Sequence, residues 1–319
     1  MTMKNIWIAD GHCDSIGDFA AGKRNLKETA KFGHWDLARA KQANLGLQFL
    51  AAYIESEYKP FQAAWRGLEL LEAALRFIDN NSSDVFLVRT QEDAAQLGRT
   101  NKLGLLINIE GGEILGENVF MLDLIFRLGV RSIGLTWNER NAIGNGVGES
   151  EGSGGLSSFG FQVIERMNQL GMVIDVSHLN EAGFWDVLRH SERPVIASHS
   201  CAKALCGHRR NLTDHQLCAL GDKKGLVGIN FCEDFLSETG KATMDDVVRH
   251  ICHIAEVAGV DTVGFGSDFD GIETTPKGLE NVGTFPYLVE KLSQCGFNQN
   301  EIAKICYGNY VRFLSDVLM

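Results

Sequence analysis

Proline is scarce in this chain, paired cysteines are missing, and neither a long apolar run nor an excess of positive charge occurs. Only four prolines punctuate 319 residues, and no tract has the composition of an interdomain linker. The chain therefore reads as one domain, residues 1–319, with helices at its C-terminal end. The Gly/Ser-rich stretch from Gly144 to Ser158 reads as a loop, because strand–helix periodicity runs on both sides of it. Eight cysteines are scattered without a Cys-x-x-Cys pair. In a chain this long, that usage points to reduced thiols and a cytoplasmic location. Residues Met1 to Asp10 lack the apolar core of an export signal, and no window approaches a membrane span. The net charge is −11 with no basic stripe, which excludes nucleic acid as a partner. Apolar residues are plentiful, at 45%, enough for one large core or two modest ones.

Short β-branched runs alternate with longer amphipathic stretches. Eight candidate strands stand out: Ile6 to Asp14, Leu45 to Tyr53, Leu103 to Glu110, Val130 to Thr136, Met172 to Ser177, Pro194 to His199, Gly225 to Phe231 and Thr262 to Asp268. Helical patterns include Phe61 to Asp79, Asn118 to Leu128, Ser158 to Leu170, Glu181 to His190 and Thr213 to Leu220, with two or three more helices after the last strand. Such alternation implies a parallel sheet. Eight units over about 250 residues match an α/β fold of the (β/α)8 TIM-barrel type. A doubly wound open sheet would gather its site residues at one switch point. Here they end five or six different strands, which favours the barrel.

Five of those residues are of metal-binding type: His12, Asp14, Glu110, His178 and His199. A lone polar group closing an apolar run is costly unless it finds a partner. Repetition of the pattern suggests one polar pocket satisfied by two divalent ions. His12 and Asp14 are two apart and share a strand face, while Gly11 lets the backbone pack closely. Glu110 has two oxygens and could bridge two cations. Two carboxylates and three neutral imidazoles carry −2 against +4 for the ions, a surplus that favours hydroxide over water. Mixed nitrogen and oxygen ligation suits zinc, with manganese, cobalt or iron as alternatives. Asp268, between flanking glycines, is placed to move protons or hold an ammonium group. Arg209 and Arg210 follow the sixth strand, where one guanidinium could clamp a carboxylate. Asp270 reads as an Asx-turn residue, and His208, His215, His250 and His253 as surface residues. His34, beside Trp35, lies in the first long loop and is not assigned to the pocket. The Cys13 sulfur should point away from the ligands.

The ordered segments Asp-Gly-His-Cys-Asp, Glu-Gly-Gly, Asp-Val-Ser-His, Ser-His-Ser, Arg-Arg-Asn and Gly-Ser-Asp-Phe-Asp-Gly resemble the membrane (renal) dipeptidase family of metallopeptidases. The resemblance runs from about residue 6 to about residue 310. It implies a (β/α)8 barrel with a binuclear zinc site that hydrolyses dipeptides, including those with a D-residue at the C-terminal position. It further implies that His12 and Asp14 bind one zinc, that His178 and His199 bind the other, and that Glu110 bridges them. Arg210 would hold the substrate carboxylate. Asp268 would serve the amine end and the proton transfers, after a metal-bridging hydroxide attacks the peptide carbon.

One position departs from the family. Its better-known members carry Leu-Thr-His where this chain reads Leu135-Thr136-Trp137-Asn138. Trp137 can donate one N–H but cannot act as a base, and Asn138 could donate in its place. A second reading follows, in which the same metals hydrolyse another small amide, an N-acyl amino acid or a lactone. A third, a non-catalytic binding barrel, predicts a damaged metal shell, and all five ligands are present. A homodimer is compatible with all three.

Overall fold

The computed structural model describes residues 6–150 and 152–319. Runs rich in Leu, Ile and Val form nine strands there. They are β1 (Ile8–Cys13), β2 (Leu45–Tyr53), β3 (Val85–Leu87), β4 (Leu103–Glu110), β5 (Val130–Gly134), β6 (Val173–Asp175), β7 (Ile196–Ser200), β8 (Leu226–Ile229) and β9 (Val263–Phe265). The order β2-β1-β9-β8-β7-β6-β5-β4, with β4 returning to β2, closes eight of them into a parallel barrel. These are the eight strands expected from the sequence. The ninth, β3, pairs with the first residues of β4, Val85 against Leu103 and Leu87 against Leu105. Its three residues are too few to show a period, so the pattern hides it.

Register sets the level of the site. Tyr53 pairs with Glu110, Glu110 with Gly134, and Gly134 with Asp175. Residues that close different strands therefore stand together at the C-terminal rim, where barrel enzymes place their chemistry. Several strands end earlier than expected. β6 stops at Asp175 and β9 at Phe265, so His178 and Asp268 belong to the turns that follow.

Helices Ala63–Asn80, Phe120–Arg127, Ser158–Leu170, Glu181–His190 and Asp214–Asp222 cover the barrel close to the expected bounds. Polar side chains start them: Thr213 accepts from the Gln216 N–H, and the Gln216 side chain returns to Thr213 N, a reciprocal cap. Helix Met244–Ala258 joins this layer and corrects one expectation. His250 is buried, not at the surface. Its Nδ1 accepts the Ala202 N–H at 3.0 Å, and its Nε2 donates to the Leu236 carbonyl at 3.2 Å.

After β9 come helices Phe285–Gln294, Gln299–Ala303 and Asn309–Val317. The last plugs the barrel floor: Tyr310, Phe313 and Leu314 share a buried cluster with Leu47, Leu106, Ile196 and Leu226. β1 lies tightly on this plug, because a Cβ at Gly11 would run into the Tyr310 hydroxyl. Above the plug the interior turns polar, with Asp10, Gln48, Asp175, Ser198 and Ser267 all buried. Among the described residues no helix is long and apolar enough to cross a membrane.

Candidate metal centre

β1 carries His12 into the barrel, β4 ends on Glu110, β7 carries His199, and the turn after β6 carries His178. Asp14 is not on the strand with His12; it lies just past β1 and precedes the short helix Ser15–Ala20. The turn still brings its Oδ2 to 3.4 Å from His12 Nε2. Glu110 stands between the histidines. Its Oε2 is 3.2 Å from His12 Nε2, and its Oε1 is 2.9 Å from His178 Nε2 and 3.7 Å from His199 Nε2. The Nε2 atoms of His178 and His199 face each other at 2.9 Å. Asp268 brings Oδ1 to 4.0 Å from His12 Nε2.

The electrostatics fit a cation. His178 Nδ1 donates to Asn138 Oδ1 at 2.9 Å, which leaves a lone pair on Nε2. Burial, joined by the charge of Arg210, lowers the His178 pKa to about 3. Burial also holds His199 well below its ordinary value. Two neutral rings with facing lone pairs repel each other unless positive charge lies nearby. On the other side, burial and the charge of Glu110 hold Asp14 well above the usual carboxylate range. Burial raises Asp268 as well. His12 goes up, since Glu110 and Asp14 together outweigh the lowering effect of its burial. Buried His12 Nδ1 and Asp14 Oδ1 have no hydrogen-bond partner among the described residues. The donor atoms of His12, Glu110 and His199 lie within 4.8 Å of one another, as do those of His12, Asp14 and Asp268. Neutral imidazoles at His178 and His199, crowded acids and the unpartnered Asp14 oxygen are what a divalent metal compensates.

A cavity of about 430 Å³ opens over this cluster, with Tyr53, Trp137, Arg210 and Phe235 in its walls. Trp137 packs on Tyr53, ring centroids 5.3 Å apart, with Lys59 Nζ 5.1 Å from its own ring centre. Asn138 also lines the cavity. Because its amide oxygen takes the His178 proton, the expected substrate contact falls to its Nδ2. Arg210 is buried. One terminal nitrogen donates to the Ser177 carbonyl and the other to the His199 carbonyl, at 3.1 Å for the latter. Its Nε has no partner among the described residues. Arg209 is exposed at the rim, with Nη1 3.5 Å from the Val147 carbonyl. Asp268 adopts φ +63°, a region Asp tolerates better than most residues. Its Oδ2 accepts from Asn230 Nδ2 at 2.9 Å. A Cβ at Gly271 would collide with the carboxylates of Asp14 and Asp268, so a side chain there would push these two acids from their places.

One further expectation changes. Asp270 is not a local turn-former. Its carboxylate gathers the Ser15 hydroxyl, the Arg24 guanidinium at 2.6 Å and the His34 N–H at 2.6 Å, tying the first loop to the last. His34 is part of that tie, its Nδ1 accepting the Asp270 N–H at 3.0 Å, and does not line the cavity. The Cys13 side chain does point away, into the outer core. Tyr53, Asn230 and Phe235 were not singled out from the sequence. For Tyr53 and Asn230 the signal was present: each closes or follows an apolar strand, as Glu110 does.

An eight-stranded parallel barrel with histidines and acids clustered at its C-terminal rim defines a metal-dependent hydrolase of the TIM-barrel type. The chain belongs to the membrane dipeptidase family, peptidase family M19, whose family model matches residues 1–318. A Schizosaccharomyces pombe protein described as uncharacterized dipeptidase C965.12 is 35% identical over 311 residues, covering 91% of this chain and 75% of that protein. The crystal structure of dipeptidase AC, a metallopeptidase of family M19, superposes with TM-score 0.93 at 30% identity, covering 98% of this chain and 99% of that one. A metallopeptidase from Rhodobacter sphaeroides, liganded with a phosphinate mimic of the dipeptide L-Ala-D-Ala, gives TM-score 0.92 at 29% identity, with the same coverage of both chains.

Proposed function

We propose that this chain hydrolyses dipeptides, including those with a D-residue at the C-terminal position, using two divalent ions, zinc by the chemistry of its donors. His12 and Asp14 would hold one ion, His178 and His199 the other, with Glu110 shared. The observation that carries this reading is Glu110, whose two oxygens face two separate imidazole groups at 3.2 and 2.9 Å. Bound there, the ions would acidify a shared water for attack on the peptide carbon and polarise its carbonyl oxygen. Arg210 lines the cavity and offers the substrate carboxylate the guanidinium N–H groups left over after each terminal nitrogen gives one proton to a backbone carbonyl. A longer peptide would bury a neutral amide against that charge, which limits substrates to two residues. Asp268, held through Oδ2 by Asn230, keeps Oδ1 for the substrate ammonium and returns a proton to the leaving amine. Tyr53 and Trp137 form an aromatic wall that excludes water. The phosphinate dipeptide held by the Rhodobacter relative supports the D-configured C-terminal residue.

Trp137 favours one competitor, the hydrolysis of N-acyl amino acids or other small amides or lactones by the same centre. Rates on L-L and L-D dipeptides against N-acyl amino acids, with and without added zinc, separate the two. Zinc-dependent dipeptide turnover is expected; turnover of N-acyl substrates alone would reverse the assignment. All eight cysteines are free thiols, which supports the cytoplasmic location. A homodimer stays part of the proposal, and a sedimentation mass near 35.1 kDa would remove it.

A further inference from the structure

A closed hydrogen-bond network lies behind His199, on the side away from the cavity. Asp175, the last residue of β6, is 2% exposed. Its Oδ1 accepts three donors: Ser177 N at 3.1 Å, Ser177 Oγ at 2.7 Å and Ser198 N at 3.0 Å. Its Oδ2 accepts Ser198 Oγ at 2.5 Å. The same Ser198 Oγ lies 2.7 Å from His199 Nδ1. The Ser177 hydroxyl in turn accepts the His199 N–H at 3.1 Å. A serine has one proton to give, and a carboxylate is a stronger acceptor than a neutral ring nitrogen. The Ser198 proton therefore goes to Asp175, and its lone pair receives Nδ1–H from His199. That leaves the lone pair of His199 on Nε2, aimed at Glu110 and His178.

We propose that Asp175, acting through Ser198, is a positioning residue that fixes the tautomer and direction of His199 and thereby sets the affinity of the His178–His199 side for its cation. The inference rests on His199 being a ligand, as proposed above. Outer-sphere partners of this kind typically change metal affinity by about tenfold to a hundredfold.

The network predicts how an isosteric change fails. In Asp175→Asn the oxygen must stay at the Oδ1 place, because two backbone N–H groups and the Ser177 hydroxyl point there. The new NH2 then faces Ser198 Oγ and reverses that hydroxyl, which donates to His199 Nδ1 at 2.7 Å in preference to the more distant Ser177 Oγ at 3.1 Å, already the acceptor of the His199 N–H. The ring proton moves to Nε2, and the lone pair leaves the metal side. Ser198→Ala removes the acceptor outright, whereas Ser198→Thr keeps it.

The test is zinc affinity of the full chain by competition with a chromophoric chelator, beside the melting temperature of the metal-free protein. Asp175→Asn and Ser198→Ala should each weaken one of the two ions by about tenfold to a hundredfold, with Ser198→Thr near wild type. Unchanged affinity for both ions in the two weakened variants would overturn the relay, and so would loss of metal-free melting temperature without loss of affinity. If Asp175→Asn does not fold, the Ser198→Ala and Ser198→Thr pair decides alone. His199→Ala tells the two claims apart: if it too keeps both ions at full affinity, the ligand assignment itself fails.

Discussion

Arg210 has both terminal nitrogens on backbone carbonyls, those of Ser177 and His199, and bonds no side-chain donor atom of the metal cluster. Arg210→Met should therefore raise KM and lower kcat/KM about tenfold to a hundredfold, the worth of one charge-assisted hydrogen bond. Metal content and kcat should stay near wild type; equal loss of bound metal would count against the clamp. His250 carries a second prediction. Burial lowers its pKa from 6.5 to about 4. The unfolded ring takes a proton near pH 6.5, while the folded ring resists until about pH 4. Stability from this group is thus intact above pH 6.5 and falls across that window, by at most roughly 3 kcal/mol. Urea midpoints at pH 7.5 and pH 5 should differ less in His250→Gln than in wild type; an equal difference would show that the imidazole does not titrate there. Residues such as Glu110 and His199 were legible because a lone polar group closed an apolar run. His250 was not, since its partners, Ala202 and Leu236, are distant in sequence and only the fold brings them near.

β1 and the C-terminal helix Asn309–Val317 meet at Gly11 and Tyr310. Gly11→Ala should destabilise the chain by about 1–3 kcal/mol through overpacking. Tyr310→Phe should recover part of that loss, because the hydroxyl is the nearest clashing atom. Denaturation of the double variant checks the coupling; strict additivity would mean the two elements do not press on each other there. Long elements were readable from periodicity, as with Ala63–Asn80. Short ones were not. β3 is three residues long, and β6 and β9 end before the site residues that sequence pattern alone attached to them. Those residues occupy turns whose conformation, such as the positive φ of Asp268 and Asp270, depends on contacts from other strands.

The chain as a whole folds its acids and imidazoles into one rim, so metal should stabilise all of it. Removal by chelation should lower the melting temperature by several degrees and metal return should restore it, since a ligand bound only by the folded state adds stability by mass action. The barrel itself was legible from eight strand–helix units. The polar interior beneath the site was not, because Asp10 and Asp175 look like strand-end residues until Ser267 and Ser198 are seen beside them. The most direct measurement is an anomalous difference map at the zinc edge from zinc-loaded crystals. Two peaks are expected, one beside His12 and Asp14 and one beside His178 and His199, with Glu110 touching both. No peak within reach of Glu110, or a single peak elsewhere in the barrel, would contradict the binuclear centre.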